Sequence, residues 1–134
     1  KIGITCYVAH QHGDALAVST ALGPGDGVLV VSYSGSFLRQ YAEEIQLVRS
    51  NGCKVAVMTS DVSVQDSMAG LECFLTLPLG ETTGSKIATF YAQECIRFTL
   101  NCIYGECFSQ NYRANMRRVQ RYDEHKNEAY RFQG

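Results

Sequence analysis

The sequence predicts an α/β domain of three layers, with helices on both faces of a parallel sheet. Three apolar runs, Gly27–Ser32, Lys54–Thr59 and Leu71–Leu77, lack polar alternation, which is typical of strands buried on both faces of a parallel sheet. Helical patterns separate these runs, and strands joined through helices form right-handed crossovers. We therefore expect a parallel sheet in a three-layer α/β/α domain.

The chain opens with a predicted strand and a short helix. Residues Ile2–Ala9 are rich in β-branched and aromatic side chains, which favours a strand. A polar loop is expected at His10–Asp14, followed by a helix at Ala15–Leu22. The breaker Gly23-Pro24-Gly25 then ends that helix ahead of the next strand.

A helical pattern begins at Phe37, directly after the second predicted strand. Apolar residues recur in it at helical spacing, at Leu38, Tyr41, Ala42, Ile45 and Val48. Ser34 or Ser36 can cap the start of this helix, and Asn51-Gly52 supplies a left-handed stop. A shorter helix is expected within Asp61–Gly70.

Two long helices are predicted in the last third of the chain. The first, Thr83–Tyr104, carries an apolar stripe formed by Ile87, Phe90, Tyr91, Cys95, Phe98 and Cys102. We interpret this stripe as core or as a dimer seam. The second, from Phe108 to about Arg131, is polar and basic, but acidic residues are interspersed. This favours a solvated helix or the rim of a dimer over a nucleic-acid surface.

Length and composition indicate one ordinary globular domain. The chain has 134 residues, of which 46% are hydrophobic and 19% charged, and its net charge is −1. A balanced charge gives no electrostatic reason to expect nucleic acid or anionic lipid as a partner. The six cysteines form no CxxC pair, which favours free thiols in a reducing cytoplasm over a disulfide framework. No run is long enough to span a membrane, and we expect no cofactor.

The strongest candidate site is the segment Ser32-Tyr33-Ser34-Gly35-Ser36, which follows the Gly27–Ser32 strand. Open α/β sheets bind ligands at the carboxyl ends of their strands. Serine hydroxyls, together with backbone amides that a glycine leaves accessible, can hold an anion without lysine or arginine. The alternative is a simple helix cap followed by a tight turn.

Two further features carry weaker signals. His10-Gln11-His12-Gly13-Asp14 is similar to the metal motif of metallo-β-lactamase-like hydrolases, but Ala15 stands where a further histidine is needed. We therefore expect a solvated loop and no metal site. Glu81 follows the predicted strand Leu71–Leu77 and could face the serine segment, either as a general base or as a partner for sugar hydroxyls.

These motifs together resemble the SIS (sugar isomerase) domain over nearly the whole chain. The resemblance lies in Leu22–Asp26, the Val-Ser-Tyr-Ser-Gly segment Val31–Gly35, the following amphipathic helix, and the strand segment Gly52–Ser60. More narrowly, Glu81 with Ser85-Lys86-Ile87-Ala88 is similar to the effector domain of RpiR-type transcriptional regulators.

The resemblance implies a flavodoxin-like sheet and a sugar-phosphate ligand. The family's phosphate-binding serines correspond to Ser32 and Ser34, while Tyr33, Gly35 and Ser36 contribute backbone. Phe37 occupies a position where the family usually has threonine. SIS domains begin with a helix and a central first strand that this sequence lacks, so we expect an N-terminally truncated domain with a gap in its sheet.

The function that the resemblance implies is a ligand-sensing, homodimeric effector domain in the cytoplasm. Sugar phosphate would bind at the serine segment, and DNA would be bound only by a helix-turn-helix domain outside this chain. One alternative is an SIS-type aldose–ketose phosphate isomerase, with Glu81 as a possible base. Another is an interaction module that has lost its ligand, which Phe37 favours.

Overall fold

The computed structural model of the chain describes residues 2–9, 12–68, 70–80 and 90–131. Its helices and strands are α1 (His12–Ala21), β1 (Gly27–Val31), α2 (Ser36–Gln40), α3 (Ala42–Ser50), β2 (Lys54–Thr59), α4 (Val64–Ser67), β3 (Cys73–Thr76), α5 (Phe90–Gln110) and α6 (Tyr112–Arg131). The chain divides into two compact units, one of Lys1–Tyr7 with Phe98–Gly134 and the other of Val8–Arg97.

The larger unit, Val8–Arg97, contains a three-stranded parallel sheet in the order β1-β2-β3. Met58 of the middle strand lies between Val31 of β1 and Leu75 of β3. The predicted parallel sheet is therefore confirmed, and the architecture is mixed α/β. The flavodoxin-like order of a larger sheet stays a prediction.

Burial on both faces is confirmed for β2 but wrong for β1 and for β3, whose residues are exposed or only partly buried. In β2, Val57 and Met58 point to opposite faces and are both completely buried. In β1, Leu29 and Val31 are 38% and 36% exposed, although Val30 is buried. The reason is topological, because β2 has a neighbour on each side whereas β1 and β3 are the edges of the described sheet.

The hydrophobic core lies on one face of the sheet. Val30 and Val57 occupy paired positions on this face, and Leu38 of α2, Ile45 of α3 and Val64 of α4 belong to the same buried cluster. Helices α2, α3 and α4 therefore form one layer over the sheet. A complete second helical layer stays a prediction.

The helical pattern after Phe37 forms two helices. Tyr41 lies between α2 and α3 with φ −112° and ψ 29°, outside helical geometry. Its ring packs on Phe37 at a centroid separation of 4.0 Å. Leu38, Tyr41, Ile45 and Val48 are buried as predicted. The prediction is wrong for Ala42, which begins α3 and is exposed.

The N-terminal segment differs from the prediction. Residues 2–9 form no strand, and Ile4, Tyr7 and Val8 are largely exposed. Strand-forming composition alone is insufficient, because a strand also needs a neighbouring strand to bond its backbone groups. The predicted loop at His10–Asp14 is also partly wrong. Helix α1 begins at His12, and Asp14 in its first turn suits the positive end of the helix dipole.

Helices α5 and α6 correspond to the two predicted long helices, although α5 ends at Gln110 instead of Tyr104 and α6 begins at Tyr112 instead of Phe108. The expected stripe on α5 is not buried. Phe90 and Phe98 are 74% and 71% exposed, while Thr83–Thr89 lies outside the described residues. In the smaller unit, the buried Asn115 of α6 donates to the carbonyls of Cys107 and Phe108 at 3.4 and 3.1 Å. Asn115 thus satisfies carbonyl groups in the last turn of α5.

None of the helices in the described ranges combines the length and the apolar character needed to cross a membrane. This finding concerns helices α1 to α6 only.

Candidate functional site

The serine segment connects β1 to α2 at the carboxyl end of the sheet. The amide of Ser32 donates to the carbonyl of Met58 at 2.9 Å, which extends the pairing of β1 with β2 by one residue. The chain then turns sharply, since the amide of Gly35 donates back to the carbonyl of Ser32 at 3.1 Å. Helix α2 begins immediately after this turn.

Ser32 has a structural role in this turn. Its side chain is buried, and its Oγ accepts a hydrogen bond from the amide of Phe37 at 3.1 Å. That amide belongs to the first turn of α2 and would otherwise lack an acceptor. Ser32 therefore stabilises the start of the helix. The prediction that Ser34 or Ser36 caps this helix is wrong, because the N-cap residue is Gly35 and neither exposed serine forms a capping hydrogen bond.

Ser34 and Ser36 present their hydroxyl groups together at the surface. Their Oγ atoms are 3.0 Å apart, and either can be the donor. Within the part of the chain that the structure describes, the amides of Ser34 and Ser36 donate to no protein acceptor. The two serines thus offer hydroxyl and amide donors on one exposed turn, in the arrangement that favours an anion.

Gly35 is required by this geometry. Its φ of +70° lies in the left-handed region, which residues other than glycine adopt only at an energetic cost. A Cβ at this position would lie 2.8 Å from Oδ2 of Asp61 and 2.9 Å from Cγ2 of Val64. The turn is therefore packed directly against the segment that follows β2.

Arg39 borders the turn that the serine segment Ser32–Ser36 forms, which we call the serine turn. One terminal nitrogen of Arg39 donates to Oδ2 of Asp61 at 2.6 Å, and the other donates to the carbonyl of Ser34 at 3.1 Å. The Arg39 side chain is 57% exposed. Arg39 thus connects the serine turn with the carboxyl end of β2 and brings a positive charge to the site.

Asp61 balances that charge. Its pKa is held below the ordinary range first by the hydroxyl of Ser63 and then by the Arg39 guanidinium, both of which donate to the carboxylate. A carboxylate with a lowered pKa is a weaker base. Asp61 is consequently better suited to accepting hydrogen bonds than to abstracting a proton.

Tyr33 connects the serine turn to the end of β2 and to the segment after β3 through hydrogen bonds. Its carbonyl accepts hydrogen bonds from the hydroxyls of Thr59 and Ser60, and from the amide of Ser60. Its phenol donates to the carbonyl of Pro78 at 2.9 Å and accepts from the amide of Gly80 at 3.3 Å. The ends of all three described strands therefore meet at Tyr33.

The structure thus brings together the predicted residues Tyr33, Ser34, Gly35 and Ser36, and it gives Ser32 an internal bond. Glu81 lies outside the described residues. Sequence reasoning missed Arg39 and Asp61. The hydroxyl-rich end of the second strand, Thr59-Ser60, was a usable signal for Asp61, because carboxyl ends of neighbouring parallel strands meet at one edge.

Phe37 lies on the first turn of α2, at the position where SIS domains usually have threonine. Its ring is half-buried against Tyr41, so the position supplies packing instead of a hydroxyl donor. The exposed hydroxyl of the preceding residue, Ser36, is the nearest group in sequence that could replace the missing threonine hydroxyl.

The segment His10–Asp14, with its similarity to a metal motif, lies partly within the described residues. His10 and Gln11 lie outside the described residues, whereas Gly13 and Asp14 belong to α1. Among the residues that the structure describes, no group of three or more His, Cys, Asp or Glu side chains could hold a metal ion.

Comparison of the chain with protein-family models, with curated proteins and with solved structures found no match. The resemblance to the SIS domain therefore rests on the sequence motifs, and the function that it implies is a proposal.

Proposed function

We propose that this chain is the sugar-phosphate-sensing effector domain of an RpiR-type transcriptional regulator, and that it acts without catalysing a reaction. The ligand's phosphate would bind at Ser34–Ser36, with Tyr33 and Gly35 shaping the turn. Any DNA contact would come from a domain outside this chain. The proposal combines the resemblance in sequence with the geometry of the exposed turn.

The observation that carries the proposal is the pair of serine hydroxyls beside the Arg39 guanidinium. Ser34 and Ser36 are 3.0 Å apart through their Oγ atoms, and Arg39 donates to the carbonyl of Ser34. Phosphate oxygens accept several hydrogen bonds at once, so clustered hydroxyls, amides and a nearby cation suit them.

The charges of the site favour moderate affinity. The carboxylate of Asp61 neutralises much of the field of Arg39, since the two groups are 2.6 Å apart. A bound phosphate would therefore be held mainly by neutral donors. Asp61 can accept hydrogen bonds from sugar hydroxyls, which gives the site a means of favouring sugar phosphates over inorganic phosphate.

Tyr33 supplies a route by which binding could be sensed. It directly precedes Ser34 and is hydrogen-bonded to Pro78 and Gly80 beyond β3. A ligand that prefers one arrangement of the turn would also favour one arrangement of this segment, because a ligand shifts a conformational equilibrium by its differential affinity.

A thermal-shift assay tests the proposal. The protein is heated with each member of a panel of hexose and amino-sugar phosphates and with the matching unphosphorylated sugars. We expect at least one sugar phosphate to raise the unfolding temperature, since a ligand that binds only the folded state stabilises it. The corresponding sugar alone should have a smaller effect.

The control is a set of serine variants. Ser34→Ala and Ser36→Ala should reduce the shift, whereas Ser50→Ala, at the exposed end of α3, should preserve it. The proposal is wrong if no sugar phosphate stabilises the protein. It is also wrong if the Ser34 and Ser36 variants are stabilised as strongly as the unmodified chain.

A further inference from the structure

The helical layer of the larger unit contains a groove, lined by residues of α2 and α3 and by residues at the end of α4 and just before β3. It encloses about 430 Å³, which lies within the range of roughly 300–1,000 Å³ that small-molecule sites occupy. The described residues that line it all belong to the unit Val8–Arg97. The groove is therefore built within one compact unit.

The base of the groove is apolar. Leu38 and Ile45 belong to the buried core cluster, and Met68 and Leu71 pack against that cluster. Ala42, the first residue of α3, adds a small exposed side chain. Because these side chains offer no hydrogen bonds, the base favours an alkyl chain over a sugar ring.

The groove extends away from the serine turn. Helix α3 follows that turn and α2, and it ends at Ser50, shortly before β2 begins at Lys54. It therefore runs from the carboxyl edge of the sheet towards the amino ends of the strands. Ala42 and Arg49 both line the groove, and they are about 10 Å apart along the helix axis. Arg49 thus marks the end of the groove that is remote from the serine turn.

The two arginines of the groove differ in the charge that they leave available. Arg39, at the end near the serine turn, is paired with Asp61 at 2.6 Å. Arg49 donates to Oε1 of Gln46 at 3.3 Å and to the carbonyl of Gly70 at 2.6 Å, and both acceptors are neutral. Among the described residues Arg49 forms no ion pair. The positive charge that can attract an anion is therefore at Arg49.

Glu72 lies within the field of Arg49 but is bonded elsewhere. Its carboxylate accepts a hydrogen bond from the amide of Val55 at 2.8 Å. That bond is the main cause of the lowered pKa of Glu72, and the charge of Arg49 is a smaller one. A guanidinium carries five N–H donors, of which the described residues accept two. Arg49 thus retains donors for an incoming carboxylate.

We propose that this groove binds a medium-chain aliphatic carboxylate. The carboxylate accepts charge-assisted hydrogen bonds from Arg49, and the alkyl chain lies along the apolar base towards Ala42. The chain contributes binding free energy in proportion to the apolar area that it covers, while Arg49 selects the anion. This inference concerns a second site and does not depend on the sugar-phosphate proposal.

Octanoate is the probe, and the three methionines of the chain report where it binds. The protein carries ¹³C in its methionine methyl groups, and their NMR signals are followed during a titration. Met68 lines the groove, whereas Met58 is completely buried in β2 and Met116 belongs to α6. We expect octanoate to shift the Met68 signal in a saturable manner and to leave the other two unchanged.

Two further probes separate the contribution of the chain from that of the charge. Octan-1-ol has the chain without the carboxylate, and acetate has the carboxylate without the chain. Each should bind at least about tenfold more weakly than octanoate, because a hydrogen bond to a charged group and burial of the chain both contribute to affinity.

Variants of the lining residues provide the second arm. Arg49→Gln keeps a donor for the carbonyl of Gly70 but removes the charge, so octanoate should bind about tenfold more weakly. Ala42→Phe places a ring in the groove and should also weaken binding. Arg97→Gln and Val62→Phe are the matched controls, because both residues are largely exposed and lie outside the groove. Both controls should bind octanoate as the unmodified chain does.

Each outcome bears on the inference. Unchanged Met58 and Met116 signals show that a variant is folded. The absence of a saturable shift at Met68 overturns the inference, as does octan-1-ol that binds as tightly as octanoate. Both results come from the unmodified protein and so hold even where a variant fails to fold. An octanoate affinity that neither Arg49→Gln nor Ala42→Phe lowers in folded protein also overturns it.

Discussion

The phenol of Tyr33 donates a hydrogen bond to the carbonyl of Pro78 over 2.9 Å, although the two residues are 45 positions apart in sequence. This bond joins the turn after β1 to the segment after β3. Because Tyr33 also accepts hydrogen bonds from the end of β2, its position organises the whole carboxyl edge of the described sheet.

Replacement of Tyr33 by phenylalanine should loosen this edge. The variant retains the ring and the backbone but loses the bonds to Pro78 and Gly80. We expect the free energy of unfolding to fall by about 1 kcal/mol, the usual net contribution of such hydrogen bonds. Urea denaturation measures this change. Tyr7→Phe is the control because Tyr7 is 83% exposed, and equal stability of the two variants would contradict the organising role of Tyr33.

Gly35→Ala should destabilise the protein more than Gly25→Ala. Both glycines have positive φ, so both substitutions incur the left-handed backbone cost of about 1–2 kcal/mol. A Cβ at Gly35 would also clash with Asp61 and Val64, whereas a Cβ at Gly25 would meet nothing within 4 Å. Denaturant midpoints of the two variants measure the difference. Equal midpoints would mean that the serine turn is not packed against Asp61.

The contribution of Asp61 to stability should depend on pH. Its pKa is lower in the folded chain than the ordinary value because the Ser63 hydroxyl and the Arg39 guanidinium stabilise the carboxylate. The stabilisation is therefore present above the ordinary aspartate pKa and disappears as the pH falls through the lowered folded value.

A comparison with Asp61→Asn checks this sign. The stability advantage of the unmodified chain over the variant should be largest near neutral pH and should shrink in acid. Asp66→Asn, a change at an exposed aspartate of α4, serves as the control. An advantage that grows as the pH falls would contradict the contacts described for Asp61.

The six cysteines should differ in their reactivity towards an alkylating reagent. Cys53 is buried, its thiol donates to the carbonyl of Gly23 at 3.1 Å, and burial raises its pKa above the ordinary value. Since the thiolate is the reactive form, Cys53 should be modified slowly. The exposed Cys6, Cys73 and Cys102 should react first. Mass spectrometry of timed samples measures the order, and early modification of Cys53 in folded protein would contradict it.

The sequence was most informative where burial alone determines structure. Strand β2 has the predicted bounds, Lys54–Thr59, because its apolar run is enclosed on both sides. The same apolar pattern gave a wrong prediction of burial at β1, since the exposure of a strand depends on whether a neighbouring strand is present. The prediction of a strand at Ile2–Ala9 was wrong for a related reason, because this segment has no partner strand in the described sheet.

The candidate site was predictable only in part. The serine turn is a local motif, and its position at a strand end follows from the apolar run before it. The contact between Arg39 and Asp61 joins residues 22 positions apart, and the Tyr33 phenol reaches still further along the chain. Such contacts depend on the lateral order of the strands and on side-chain rotamers, which a single sequence does not specify.

The most direct test of the central claim is an NMR titration of the ¹⁵N-labelled protein with a hexose phosphate and, separately, with the same sugar without phosphate. We predict that the phosphorylated sugar shifts the amide signals of Ser34 and Ser36 in a saturable manner, while that of Ser50 stays unchanged. Saturable shifts elsewhere with none at Ser34 and Ser36, or equal shifts from the unphosphorylated sugar, would contradict a phosphate site at the serine turn.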